Sequence, residues 1–269
     1  DMMRELMSAS FDPGAPAPSV ESLLHAFLPH PAILHSHADA IVSLTNVGDA
    51  GDHVQEIFGD SVVVIPYVMP GFDLARAVAT SWTDQVNPGT IGMVLLNHGL
   101  FTFGESTREA YTRHHELISR AERWLDENAP VPGPPSAALP DPDTMTLAGL
   151  RRDISDAAGF PMLLCRHCDQ TSTRFVQRPD LDSLASRGPL TPDHVIRTKR
   201  VPMVGRDVAA YTAAYEDYFR QHEHRGRTDL TMLDPAPRVV VDPELGVLTA
   251  GRTIAAADIA FDIYEHTMP

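Results

Sequence analysis

His35-Ser36-His37 closes the apolar run Pro31-Ala32-Ile33-Leu34, and a second apolar run, Ile91 to Asn97, is closed by His98. Residues two apart on a strand point to one face, so His35 and His37 can present two imidazoles to a single point. A third imidazole from a neighbouring strand end completes a three-histidine set, which suits Zn²⁺ with one position left for water or substrate. Glu21, at the start of an expected helix, can serve as a base or a fourth ligand. With 13 histidines in the chain a chance His-x-His is easily obtained. The weight therefore rests on the paired strand ends and the third histidine.

Other residues capable of chemistry carry less. Cys165-Arg166-His167-Cys168 offers two thiols, but a structural zinc site needs four ligands and no second pair follows, so an incidental or structural role is expected. The basic block from Thr191 to Arg200 can meet a phosphate or an acidic partner; a solvated loop or intramolecular ion pairs is the plainer expectation. His114 and His115 fall in mid-helix and are expected at the surface.

The elements that must position the histidines alternate. Ser19 can cap a helix over 20–29, followed by a strand over 31–37, helices over 39–45 and 52–58, and a buried strand over 61–66. A helix over 72–86, a strand over 91–96 and another over 100–103 come next. Ser106-Thr107-Arg108-Glu109 then reads as a capping box opening a helix to 127. After the Pro-rich stretch the pattern gives a helix over 147–158, a strand over 160–165, a hairpin turning at Pro243-Glu244-Leu245-Gly246, and a last helix capped by Thr253. No internal repeat is evident. The expected organisation is a metal domain over 1–130, a linker over 131–143 and an α+β extension over 144–269.

The 269 residues suffice for one large or two modest domains, and 43% apolar with 21% charged residues is ordinary globular composition. A net charge of −15 argues against nucleic acid and anionic membrane as partners. No apolar run reaches the length of a membrane span, and two cysteines give no disulfide framework, so a cytoplasmic location is expected. No Gly-x-Gly-x-x-Gly follows a strand, so no NAD binding by this chain is expected.

Four motifs in order, Ser19-Val20-Glu21 with His25, His35-Ser36-His37-Ala38, Ile65-Pro66-Tyr67-Val68-Met69-Pro70-Gly71 and Asn97-His98-Gly99-Leu100, resemble the class II aldolase/adducin family. The closer resemblance is to the aldolase part of bifunctional rhamnulose-1-phosphate aldolase/short-chain dehydrogenase proteins. It is carried in the second half by Gly188 to Lys199 and Leu233 to Arg238. The resemblance implies a three-layer αβα domain, zinc or another divalent metal on His35, His37 and His98, and Glu21 as the catalytic carboxylate. It further implies that Tyr67 reaches a neighbouring subunit's site as a proton donor within a homotetramer, and that Ser19 helps hold a substrate phosphate. His25 corresponds to a buried, hydrogen-bonded histidine that steadies the site. The family's glycine-rich Gly-Asn-x-Ser phosphate loop has no counterpart before Phe11, so the chain is expected to lack that segment, and its dehydrogenase partner to be fused elsewhere or lost.

The implied activity is retro-aldol cleavage of a deoxyketose 1-phosphate, L-rhamnulose 1-phosphate first, to dihydroxyacetone phosphate and L-lactaldehyde. Such cleavage leaves negative charge next to a carbonyl, which a Lewis acid or a Schiff-base lysine must absorb. Lys199 is the one lysine in the chain, which favours the metal. An epimerase or decarboxylase of the same family, and an adducin-like interaction domain without catalysis, are the alternatives. A scaffold, however, has no physical need for converging imidazoles.

Overall fold

Near-continuous apolar runs build two sheets, each covered by apolar cores on both faces, in the computed structural model, which describes residues 2–12, 14–129, 138–226 and 230–268. The chain divides into two compact units, Asp1–Pro130 and Val131–Pro269. Of the expected linker, residues 131–137 lie outside the described residues.

The first unit runs α1 (Met2–Ser8), α2 (Ser22–Phe27), β1 (Ala32–Ser36), α3 (Asp39–Thr45), α4 (Ala50–Phe58), β2 (Val62–Ile65), α5 (Phe72–Gln85), β3 (Gly92–Leu95), β4 (Gly99–Gly104) and α6 (Thr107–Asn128). Its strands lie in the order β1-β4-β3-β2, with β2 and β3 parallel and the other pairs antiparallel. Val63, Ile65, Met93, Leu95, Phe101 and Phe103 face Leu24 of α2 and Leu74, Val78 and Trp82 of α5. Val62, Val94 and Leu100 face Ile41 and Leu44 of α3, Val54 and Phe58 of α4, and Leu117 and Ala121 of α6. Neighbouring residues thus divide between two layers of helices, as the period of a strand requires, and the unit is a three-layer αβα sandwich.

The second unit runs α7 (Thr144–Ala158), β5 (Leu163–His167), α8 (Gln170–Val176), α9 (Leu181–Ala185), α10 (Pro192–Arg197), β6 (Met203–Val204), α11 (Val208–His222), β7 (Val239–Asp242), β8 (Gly246–Gly251) and α12 (Ile254–Glu265). Helices α7 and α11 pack on one sheet face and α8, α9 and α12 on the other. Its strand order, β5-β8-β7-β6, repeats that of the first unit strand for strand, again with one parallel pair, β6 with β7. The repeat escapes the sequence because topology needs only apolar runs of strand length, which many side-chain sets satisfy.

Several elements differ from expectation. The first helix of the sandwich starts at Ser22, with Glu21 at its N-cap position, because Ser19 folds back onto Glu21. Ser106 caps α6 as expected, but Glu109 Oε2 accepts from the Glu105 amide, one residue short of a closed capping box. The basic block is no loop: it forms α10, with His194 and Lys199 buried. Lys199 Nζ donates to the Asp234 carbonyl at 2.5 Å and stands 4.4 Å over the Tyr215 ring, so burial is compensated locally. Cys165 and Cys168 are both free. No helix among the described residues is long and apolar enough to cross a membrane.

Candidate metal centre

Pairing of β1 with β4 sets His35 opposite Phe101 and Ser36 opposite Leu100. The His35 ring stacks on Phe101, centroids 4.0 Å apart at 16°. Its Nδ1 lies 3.0 Å from the Leu100 carbonyl, which can only accept, so Nδ1 carries the proton and the Nε2 lone pair faces away. His37 follows the last paired residue of β1. His98 lies in the tight β3–β4 connection, where Asn97 adopts φ 57° and donates from Nδ2 to Asn46 Oδ1 at 3.1 Å. Asparagine tolerates this left-handed backbone better than most side chains. Gly99 is required next to it, because a Cβ there would stand 2.4 Å from the Ser36 carbonyl oxygen and 3.1 Å from the His37 ring.

Glu21 comes from the start of α2. Its Oε1 lies 2.6 Å from His98 Nε2, 3.3 Å from His35 Nε2 and 3.6 Å from His37 Nε2. Side-chain exposure rises from 1% at His98 to 9% at His35 and 18% at His37, so His98 forms the floor and His37 the rim. Burial pushes the Glu21 carboxyl up, but the three imidazoles around it outweigh that and hold it well below the usual carboxylate range. Ser19 Oγ accepts from the Glu21 amide at 3.1 Å and lies 3.3 Å from Oε2, so Ser19 steers the carboxylate.

The donor set fits a divalent cation. One ligand atom from each of Glu21, His35, His37 and His98 falls within 4.8 Å of all the others. Tetrahedral zinc with bonds of about 2.0–2.2 Å sets its ligands roughly 3.3–3.6 Å apart. His35 Nε2 and His37 Nε2, 3.1 Å from each other, need a proton or a cation between them. The Leu100 carbonyl behind His35 is the outer partner that ligating imidazoles commonly have. His98 Nδ1 is buried with no partner among the described residues, so its short polar contact is made at Nε2.

Tyr67, in the segment after β2, is 56% exposed and makes no hydrogen bond to the four clustered residues. His25 is exposed, not buried, with its ring 5.5 Å from that of Phe101 and no hydrogen bond among the described residues; Leu24 and Leu28 take the inward positions on either side of it. His115 is exposed, but His114 is half-buried and lies 2.7 Å from Ser36 Oγ and 2.9 Å from Thr102 Oγ1. The spacing of Ala110, Leu117 and Ala121, all buried on α6, places His114 on the same inward stripe. That periodicity was the available signal.

Two family models divide the chain as its two compact units do. The family model described as the class II aldolase and adducin N-terminal domain matches residues 4–125, and that described as the second domain of class II aldolase matches residues 142–269. The uncharacterized oxidoreductase YuxG of Bacillus subtilis (strain 168) is 28% identical over 292 residues, spanning 100% of this chain and 42% of YuxG. The chain thus spans less than half the length of that curated relative. The N-terminal class II aldolase domain of a conserved protein from Thermoplasma acidophilum shares 46% identity over 46% of this chain and 56% of that one, with a TM-score of 0.42. YgbL from Klebsiella pneumoniae, a candidate aldolase/epimerase/decarboxylase, shares 29% identity over 43% of this chain and 60% of its own, with a TM-score of 0.33. With the N-terminal and second-domain models matched in order along its two units, the chain belongs to the class II aldolase/adducin family.

Proposed function

We propose that this chain is a metal-dependent aldolase that cleaves a deoxyketose 1-phosphate, L-rhamnulose 1-phosphate being the first substrate to test. The observation that carries the proposal is the convergence of three imidazoles and one carboxylate at a strand end in a chain of this family. His35, His37 and His98 would hold zinc, or cobalt, manganese or iron in its place, since imidazole accepts all four. When bound, such an ion supplies Lewis-acid stabilisation of the charge that develops next to the ketose carbonyl.

The remaining chemistry belongs to the chain. Glu21, anionic and reachable from solvent, would carry the proton to and from the reacting carbon, and Ser19 keeps its second oxygen oriented. Tyr67 would serve the aldehyde oxygen in a neighbouring copy's site within a homo-oligomer, a role its exposure suits. The oxidoreductase in the name of YuxG would then belong to the part of that protein outside the match, with no NAD bound by this chain.

The test is metal content by elemental analysis, followed by release of dihydroxyacetone phosphate from L-rhamnulose 1-phosphate and from other deoxyketose 1-phosphates. About one metal per chain and turnover of one of these substrates is the expected result. Metal without aldol cleavage would move the assignment to an epimerase or decarboxylase. No metal uptake would leave an interaction domain.

A further inference from the structure

We propose that His114 is a positioning residue for the His35–His37 pair: from the opposite layer it ties down Ser36, the residue between them, and so fixes the spacing at which the two imidazoles meet a cation. The inference rests on the metal reading of the site and adds to it a residue that touches none of the four clustered side chains.

The geometry begins with the pleat. Ser36 pairs with Leu100, whose side chain lies in the α6 layer, while His35 pairs with Phe101, whose side chain lies in the α2–α5 layer. Ser36 therefore projects away from the cluster and into the layer that holds His114. There the hydrogen-bond directions are fixed in series. Thr102 Oγ1 donates to the Ala110 carbonyl at 2.9 Å, so it accepts from His114 Nδ1 at 2.9 Å, and His114 Nε2 is left to accept from the Ser36 hydroxyl at 2.7 Å. One neutral tautomer satisfies every group. Burial first, then the neighbouring His35 and His115, lowers the His114 pKa to about 4, in keeping with that neutral ring.

The anchor is needed where it stands. Among the described residues β1 is an edge strand, paired only with β4, and Ser36 is its last paired residue, so His37 sits on a strand end with backbone support on one side. Unpaired strand ends open most readily. The Ser36–His114 bond, spanning 78 positions of sequence, ties that end to the long helix α6.

The second unit supplies an internal comparison. Its β8–α12 segment aligns with β4–α6 at one constant spacing, which matches Gly99 with Gly246, Thr102 with Thr249, the cap Ser106 with the cap Thr253, and His114 with Phe261. On the partner strands, Ser36 opposite Leu100 corresponds to His167 opposite Val247. The ligand positions His35, His37 and His98 become Arg166, Cys168 and Leu245. In that unit the helix residue accepts nothing: Phe261 only stacks on His167, centroids 3.6 Å apart. There the strand residue His167 reaches the Thr249 hydroxyl directly, at 3.0 Å, so the tie that runs through a helix-borne imidazole is particular to the unit whose strand carries the imidazole pair.

The experiment is cobalt titration of the full chain, followed by its visible absorption, for the unmodified protein, His114→Phe, His114→Gln, Ser36→Ala and the Phe/Ala double variant, each with its metal-free melting temperature. Removal of outer partners of ligating histidines commonly weakens metal binding by about 10–100-fold. His114→Phe and Ser36→Ala should each weaken cobalt binding by at least about 10-fold and alter the cobalt spectrum. The double variant should be no worse than the weaker single, and His114→Gln, whose carbonyl can still accept from Ser36, should stay close to the unmodified protein. Unmodified affinity and spectrum in Ser36→Ala would overturn the proposal, and that variant decides the matter even if His114→Phe does not fold. Equal loss in His114→Gln would overturn it too, because packing would then be the cause. If the unmodified chain takes up no cobalt, the metal reading falls and this inference with it.

Discussion

Glu21 Oε1 and His98 Nε2 lie 2.6 Å apart although 77 positions of sequence separate them. One stands at the mouth of α2 and the other at the floor of the site, so the carboxylate reaches down across the cluster and remains partly open to solvent. A group placed in this way can contact a cation and a substrate proton in turn without rearrangement of the backbone.

Glu21→Gln should reduce turnover by about 10²–10⁴-fold, the usual weight of a general acid–base group, while the metal stays bound through the three imidazoles. Parallel measurement of kcat and metal content checks this. Unchanged turnover would remove Glu21 from the chemistry.

His37→Ala should weaken metal binding, because it removes one of the three imidazoles and leaves the cation to His35, His98 and the Glu21 carboxylate. Elemental analysis of the variant beside the unmodified chain decides it. Retention of about one metal per chain at the affinity of the unmodified protein would show that the rim histidine is no ligand.

Gly99→Ala should destabilise the first unit by about 1–3 kcal/mol, the usual cost of forcing atoms into a filled position. The obstructing atom is the Ser36 carbonyl, 2.4 Å away, which cannot rotate aside. Gly51→Ala, in α4 with nothing within 4 Å of the added carbon, should instead stabilise by about 0.5–1 kcal/mol. Thermal unfolding followed by tryptophan fluorescence reads both, since Trp82 and Trp124 lie in this unit.

The second unit should lose stability in acid through Asp242, which is buried. Burial raises its pKa, but the Arg206 guanidinium and the Leu245 and Glu244 amides outweigh that and depress it. A depressed folded pKa gives stabilisation that is complete above the unfolded value near 4 and is lost as pH falls through the folded value. Asp242→Asn should cost about 1.5–3 kcal/mol at pH 7, the weight of hydrogen bonds to a charged group, and less at pH 2. Hydrogen exchange of the β7–β8 amides at both pH values tests this; an equal cost at both would overturn it.

The sandwich was legible because its strands are short apolar runs and its helices are marked by caps and turn residues, and His35, His37 and His98 because each ends an apolar run. Glu21 was legible as a helix-start carboxylate, but not its contact with Ser19, which depends on a turn rather than on a pattern. His114 was misplaced at the surface because its partner is a hydroxyl on a distant strand, and helical spacing shows that a residue points inward without showing what it meets. The buried Lys199 and His194 escaped for a related reason: a run of charge suggests solvent, whereas an Asp234 carbonyl and a tyrosine ring make burial tolerable. The common topology of the two units left too little residue identity to be seen.

The pairing of Ser36 with Leu100 has a consequence for the order of assembly. The imidazoles of β1 and His98 are drawn together only when strands more than sixty positions apart have found their register, so no short segment of the unfolded chain offers a cation a finished seat. The sheet that brings them together is sealed on both faces by apolar cores that contain none of the four residues. A cation is therefore a late guest of a house already standing, unlike the ion of a zinc finger, whose removal brings the fold down. Chelation should leave a folded chain that refills on return of the metal.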